Sequence, residues 1–218
     1  SSKIKYDYCE ISPSLILGVL AGNIPAITMN QSPRNLYSTG QGKQCLGLYA
    51  SNFRNRFDNK GQILHYPQKP IIKSKLSKYI FADDLPHGIN AIVAIGSFSG
   101  YNQEDSIIFN LDSVNRGLFK STKFRSYSAR DEIDNGKITE LITKPSPDTI
   151  KNIKSGNYSK LDDNGIVKEG YKVNENDIIV SKSRFTGNKD ESGNPECVDV
   201  SLFMGKQEEG YVDKVYSN

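Results

Sequence analysis

Apolar positions in this chain fall in short runs, and their spacing changes character along it. Over residues 1–29, brief apolar runs alternate with the turn signals Ile11–Ser12–Pro13 and Asn23–Ile24–Pro25. Ser32 followed by Pro33 reads as a helix start, a hydroxyl cap and then the residue pre-set for the first helical position. That helix is expected to reach about Gln41 and to break at Gly40 or Gly42. Cys45, Tyr49, Phe53 and Phe57 follow at a spacing of four, the apolar stripe of a second helix. Residues 61–72 read as a short strand and a loop. From Asn90 to Phe98 small and β-branched residues run almost unbroken, the pattern of a strand covered on both faces. Ser99–Asp105 interrupts this run, and a second buried segment, Ser106–Phe109, is expected immediately after it.

Beyond about Ser121 the segments shorten and alternate, separated by Asn135–Gly136, Asn164–Gly165 and Gly170, all turn signals. Residues 186–196 are polar and read as a loop. Tyr211–Tyr216 reads as a last strand whose pairing partner lies outside the chain. No internal repeat is visible. The fold class predicted is α+β, with buried strands and helices first and a β-rich module after them.

Composition narrows the function classes. Hydrophobic residues make up 36%, charged residues 24% and aromatics 10%, with a mean hydropathy of −0.53. These values are globular and argue against wholesale disorder. The net charge is only +3, but residues 1–120 carry 13 Lys and Arg against 8 Asp and Glu, and residues 121–218 carry 15 against 17. A phosphate-binding surface is therefore sought in the first half, although an ordinary solvated surface gives the same excess. Cys9, Cys45 and Cys197 form no CxxC pair and no zinc spacing, which suits a reduced, intracellular chain. No apolar run approaches the roughly 18 residues of a membrane span. The chain opens at Ser1 without an initiator Met and reads as part of something longer.

Two constellations carry candidate chemistry. Glu104 and Asp105 stand together between two expected buried segments. Paired carboxylates supply the hard oxygens that Mg²⁺ prefers, and a phosphoryl-transfer site uses such an ion to steady leaving phosphates. A charged loop in water has the same sequence, though a pair held between buried strands would need partners. On the helix from Ser32, Arg34, Tyr37, Gln41 and Gln44 share one stripe. Arg grips phosphate, Tyr stacks or donates, and Gln bonds sugar or phosphate oxygens, while a plain solvated helix face is the alternative. Lys43 would point away from that stripe in a continuous helix, so a break before it is expected. His65 and His87 fit no ligand set or triad. With no P-loop, GxGxxG or nucleophile elbow, nothing suggests a self-contained enzyme.

Asn30–Asn35 (NQSPRN), Gly42–Gln44 (GKQ), Tyr66–Pro70 (YPQKP) and Gly100–Ser106 (GYNQEDS) occur in this order, with Cys9–Gly18, Arg116–Phe119 and Arg125–Tyr127 around them. Together they resemble the second-largest subunit of multisubunit DNA-directed RNA polymerases of the eukaryotic and archaeal type. The likeness continues more weakly through Gly156–Tyr158, Leu161–Asp163 and Gly210–Asp213. Gln103 resembles the eukaryotic and viral form, where the bacterial counterpart has Phe.

The resemblance implies a piece of a nucleotidyltransferase that acts only within an assembly. Asp105 and Glu104 resemble the acidic pair near a second, nucleotide-borne Mg²⁺, the main metal site belonging to the largest subunit. Arg34 and Tyr37 are implied to reach the incoming nucleotide's phosphates. Lys43 and Gln44 are implied to touch the RNA 3′ region, with Asn30, Gln31 and Lys69 as further nucleic-acid contacts. Residues 1–120 resemble the hybrid-binding region, 121–208 the wall or flap, and 209–218 a strand returning to the hybrid-binding region. Implied partners are the largest subunit, the rest of the second-largest subunit, the smaller subunits, template DNA, the RNA transcript and NTPs, with no membrane.

The family's hybrid-binding lysines, its His-Gly-Gln-Lys-Gly segment and its zinc-binding end lie beyond the matched stretch. The alternative is a non-catalytic nucleic-acid-binding or scaffold piece of a split or degenerate polymerase; an unrelated β-rich interaction domain would have to match the ordered motifs by chance. An Asn-, Lys-, Ile- and Ser-rich composition suggests an AT-rich genome, that of a protist or a large DNA virus. The expected location is accordingly intracellular: the nucleus, or cytoplasm and virion for a virus.

Overall fold

The structure, a computed structural model, describes residues 4–146, 150, 151, 153–189, 193 and 195–217. It is α+β and divides into two units, one up to Ser126 and one from Tyr127. Among the described residues, no helix is long and apolar enough to cross a membrane.

In the first unit, a 3₁₀ turn at Pro13–Leu17 leads into α1 (Gly18–Gly22). Ser12 Oγ caps that turn, accepting from the Ser14 N–H at 3.3 Å. Then follow α2 (Ser32–Gly42), β1 (Lys60–Leu64), α3 (Leu111–Asn115) and β2 (Ser121–Arg125). The strands pair antiparallel, Lys60 opposite Arg125 and Leu64 opposite Ser121. Burial is sparse: Ile63, Leu64, Leu76, Ala82 and Pro86 are the buried residues with apolar side chains among those described in this unit.

Two expectations fail here, both for tertiary reasons. The stripe Cys45–Phe57 does not form a helix; only Phe53–Asn55 makes a 3₁₀ turn. Gly47 instead bridges Ile63, its carbonyl accepts from Leu64 N–H at 3.2 Å, and Leu48 N–H donates to the Pro86 carbonyl at 3.0 Å. The backbones approach so closely that a Cβ on Gly47 would stand 2.3 Å from His87 Cα. These long-range bonds use up the N–H and C=O groups that a helix would need. The two buried strands are also absent. Residues 90–98 and 106–109 form no strand, and Ile92, Val93, Ile95 and Phe98 are each at least 67% exposed. A continuous apolar run becomes a covered strand only where other layers pack on both its faces, and no element of this unit does so.

The second unit contains β3 (Glu132–Asp134), β4 (Lys137–Ile142), β5 (Ile150–Lys151), β6 (Lys172–Val173), β7 (Ile178–Val180), β8 (Lys182–Lys189), β9 (Pro195–Asp199), β10 (Leu202–Phe203) and β11 (Gly210–Tyr211). One sheet has the order β3-β4-β8-β9-β5, with β5 and β9 parallel, and β7/β10 and β6/β11 form small antiparallel ladders. Asn135 and Gly136, at φ 49° and 76°, close the β3–β4 hairpin as the sequence suggests, both central residues being left-handed. Residues 186–189 and 195–196 extend β8 and β9 rather than a loop, while 190–192 and 194 lie outside the described residues. Of the expected last strand, Tyr211–Tyr216, only Tyr211 lies in a strand, β11, and its partner is β6 of this chain.

This unit has a real core. Leu161, Val167, Val173 and the whole of β7 are buried, with Tyr127, Ile142, Tyr158 and Leu202 packed against them. Polar groups pin its margins. Asp199 accepts from Lys154 N–H at 3.0 Å, Ser201 N–H at 2.8 Å and the Tyr158 hydroxyl. Burial pushes the Asp199 pKa up, but the bonds from Ser201, Tyr158 and the backbone outweigh it and leave the carboxyl below its ordinary range. Burial and the same bond push the Tyr158 hydroxyl well up. Asp177 is buried too, and bonds from Lys160, Asn174 and Asn157 likewise outweigh that burial. Lys182 and Arg184 hold Glu140 low, the Arg184 ion pair measuring 2.6 Å.

The folded-state pKa values of the three carboxyls, Glu140, Asp177 and Asp199, each lie below the unfolded one, so the folded state binds protons more weakly at them. The stability they contribute is complete above the unfolded carboxylate range, near about pH 4, and is lost as pH falls through the lower folded values. The urea midpoint, followed by tyrosine fluorescence, should therefore drop between about pH 5 and about pH 3. Asp199→Asn should lower the midpoint at neutral pH and flatten the acid loss.

Candidate functional site

α2 is anchored by polar groups on a face that buries no apolar side chain. Asn35, Thr39 and Gly42, spaced four and three apart, form its half-buried stripe. Asn35 Nδ2 donates to the Ile27 carbonyl at 3.0 Å, and Thr39 Oγ1 donates to the Asn35 carbonyl at 2.9 Å. A Cβ on Gly42 would stand 3.6 Å from Leu20 Cδ2, which places that end of the helix on α1. Arg34, Tyr37, Gln41 and Gln44 are left exposed. The Arg34 guanidinium carbon lies 5.5 Å from the Tyr37 ring centroid, within cation–π range. Pro33, Leu36, Tyr37, Gly40, Gln41 and Gln44 line an open depression of about 520 Å³.

The helix ends differ slightly from the sequence reading. Gln31, not Ser32, takes the cap position, with extended backbone and no side-chain cap bond, and its carbonyl accepts from Arg34 N–H at 2.9 Å. The break falls after Gly42, with Lys43 at the C-cap and Gln44 N–H bonded back to the Gln41 carbonyl at 3.0 Å. Asn30, Gln31, Lys43 and Gln44 are all exposed.

Lys69 is presented by a loop that Asn90 fastens. Asn90 N–H donates to Gln68 Oε1 at 2.9 Å, Asn90 Nδ2 donates to the Lys69 carbonyl at 2.8 Å, and Asn90 Oδ1 accepts from Ile71 N–H at 3.3 Å. The Lys69 backbone is held while its side chain is exposed. Sequence reasoning missed Asn90; its only signal was a polar residue opening an apolar run. His65 bonds Thr122 at 2.5 Å, a core-edge role.

Glu104 and Asp105 sit in a turn closed by Ser106 N–H to the Gln103 carbonyl at 3.1 Å. Glu104 is left-handed, φ 55°. Both residues are exposed, so the partners expected of a pair buried between strands are not required, and among the described residues neither carries an ion pair. Nor does any hydrogen bond or ion pair join Arg34 to them. Among the described residues, no three His, Cys, Asp or Glu side chains gather as a metal site. α2 thus unites Arg34 with Tyr37, and one turn unites Glu104 with Asp105, as separate features of one unit.

A family model described as RNA polymerase Rpb2, domain 6, matches residues 20–218. The chain belongs to this family of second-largest RNA polymerase subunits. It is 42% identical over 216 residues to the DNA-directed RNA polymerase II subunit RPB2 of Encephalitozoon cuniculi, covering 97% of this chain and 19% of that protein. It is 40% identical over 213 residues to the DNA-directed RNA polymerase II subunit 2 of Arabidopsis thaliana, covering 96% and 18%. The archaeal subunit Rpo2 of Sulfolobus acidocaldarius is 40% identical over 215 residues, covering 96% and 19%. The chain therefore spans about a fifth of the length of these relatives.

Glu104 gives the acidic turn of this Rpb2-family chain a testable strain. A non-glycine residue in the left-handed region costs about 1 kcal/mol or more, and a β-branched one costs most. Glu104→Val should lower the urea midpoint relative to Glu104→Gly by the equivalent of about 1–2 kcal/mol, because only the second relieves the backbone.

Proposed function

We propose that this chain is part of a DNA-directed RNA polymerase and contributes to nucleotidyl transfer, in which an RNA 3′-hydroxyl attacks an α-phosphate and pyrophosphate leaves. The observation that carries the proposal is the exposed face of α2, where Arg34, Tyr37, Gln41 and Gln44 stand together, Arg34 meeting only the Tyr37 ring beside it, in a chain of this family. Such a reaction depends on positioning and charge neutralisation. Arg34 is assigned to the leaving phosphates, with Tyr37 beneath it restricting its rotamers and offering a hydroxyl. Lys43 and Gln44, just past the helix end, hold the RNA 3′ region in register. Asn30, Gln31 and Lys69 contact the nucleic-acid backbone.

Glu104 and Asp105 suit a nucleotide-borne Mg²⁺: two exposed hard-oxygen donors without an internal cation can supply one or two ligands of an octahedron that phosphates and water complete. When bound, the ion neutralises charge on the leaving phosphates. The carboxylates' part is to hold it directly or through water, the main metal site lying in the largest subunit.

Residues 1–120 are assigned to the hybrid-binding region, 121–208 to the wall or flap and 209–218 to a returning strand. Partners are then the largest subunit, the remainder of the second-largest subunit, the smaller subunits, template DNA, transcript and NTPs. The setting is intracellular; the relatives above are cellular and lend the virion alternative nothing.

In the reconstituted polymerase, Arg34→Ala should slow elongation by on the order of 10³, by analogy with other phosphate-stabilising arginines. Lys189→Ala, at the exposed end of β8, should leave the rate near wild type. Equal effects of the two would sink the assignment, and a chain that assembles normally with both Arg34→Ala and Asp105→Ala silent would be a scaffold.

A further inference from the structure

Between residues 91 and 110 every side chain is exposed except that of Asn102, which is half-buried. Apart from Phe109, whose ring meets Phe119 edge-on at 5.7 Å, no ring packing orders this segment, so the geometry of residues 96–106 rests on hydrogen bonds. Asn102 makes the two that matter. Its Oδ1 accepts from Phe98 N–H at 2.8 Å, and its Nδ2 donates to the Gly96 carbonyl at 2.6 Å. One planar amide thus ties residue 102 to two points, four and six residues back. Inside that loop a turn closes by Tyr101 N–H to the Phe98 carbonyl at 3.0 Å, with Ser99 and Gly100 at φ 51° and 73°. Both central residues are left-handed, the sign pattern of a type I′ turn.

The acidic turn begins at the next residue, Gln103. Its first central residue, Glu104, has positive φ and its second, Asp105, does not, a pattern in which Gly normally takes the first position. A left-handed glutamate in an exposed, unpacked turn reverts to ordinary φ unless its neighbours hold it. The neighbour on the N-terminal side is held by its own side chain.

We propose that Asn102 is the positioning residue for the Glu104–Asp105 carboxylates: its side-chain amide locks the preceding turn and so fixes the direction in which both carboxylates are presented to the metal-bearing triphosphate. This rests on the reading of Glu104 and Asp105 as metal-facing. Asn102 touches no substrate; it acts through the backbone of residues 96–103.

The test uses the assembled polymerase with wild type, Asn102→Ala, Asn102→Asp and Asp105→Ala. Mn²⁺ replaces Mg²⁺ as a paramagnetic probe, and binding with NTP present is followed without turnover. Hydrogen exchange of a peptide spanning 96–106 is measured in parallel. Asn102→Ala should raise the half-saturating Mn²⁺ by about tenfold, as loss of a group that orients metal ligands does. It should also speed exchange at Phe98, Tyr101 and Ser106. Asn102→Asp keeps the acceptor for Phe98 N–H and loses the donor to Gly96, so it should fall between Asn102→Ala and wild type; it decides the matter where Asn102→Ala does not assemble. Wild-type Mn²⁺ binding in both Asn102 variants, alongside weakened binding in Asp105→Ala, would overturn the role of Asn102 alone. Unchanged binding in Asp105→Ala as well would overturn the metal-facing reading and the proposal with it.

Discussion

A side-chain amide that bridges two backbone points does in the first unit what a hydrophobic core does elsewhere. Asn90 ties the Lys69 loop and Asn102 ties the acidic turn to Gly96 and Phe98 in this way, while Asn35, through Nδ2 alone, ties α2 to Ile27, and Asn110, through Oδ1 alone, caps α3 by accepting from Ser113 N–H at 2.9 Å. Asparagine suits this work because it offers an acceptor and a donor on a short, stiff stem, so it can satisfy one N–H and one C=O together. With so few apolar side chains buried in this unit, these bonds fix where Arg34, Lys69, Glu104 and Asp105 stand. Each such bond contributes modestly, about 1 kcal/mol, which is enough to choose one loop conformation and too little to hold a domain.

The second unit is built the other way. β7 and the residues around Leu161, Val167 and Val173 make a packed apolar centre, and the charged groups at its edge are satisfied by ionic or charge-assisted bonds: Glu140 by Lys182 and Arg184, Asp177 by Lys160, Asp199 by Tyr158 and two N–H groups. Breaking one partner of a buried ion pair costs about 3–5 kcal/mol, several times what a surface pair is worth. This unit therefore carries its stability internally, whereas the first unit leaves the apolar run of residues 91–98 in solvent.

That contrast explains which readings of the sequence held. The α2 start to within a residue, its polar stripe and its end after Gly42 follow from Pro33 in the first turn, a helical period and two glycines, all acting over a few residues, whereas the Ser32 hydroxyl cap did not form. The Asn135–Gly136 hairpin follows equally from local turn chemistry. The helix expected over Cys45–Phe57 failed because Gly47 bonds to Ile63 and presses on His87, forty residues away, which no local period records. Asn90 and Asn102 passed unnoticed because an asparagine that clamps a loop looks like any other polar residue until its partners are placed beside it.

The sequence by itself determined the family, the α+β class, the residue types at the candidate site and the turns that local chemistry dictates. Ordered motifs and short-range periodicities survive in one dimension. Only the tertiary structure decided that the run before the acidic pair is an exposed coil, that Glu104 is left-handed, and that amides hold the candidate loops. The reason is physical: a continuous apolar run states that neither face prefers water, but which layer covers it, and whether one does, depends on contacts far apart along the chain.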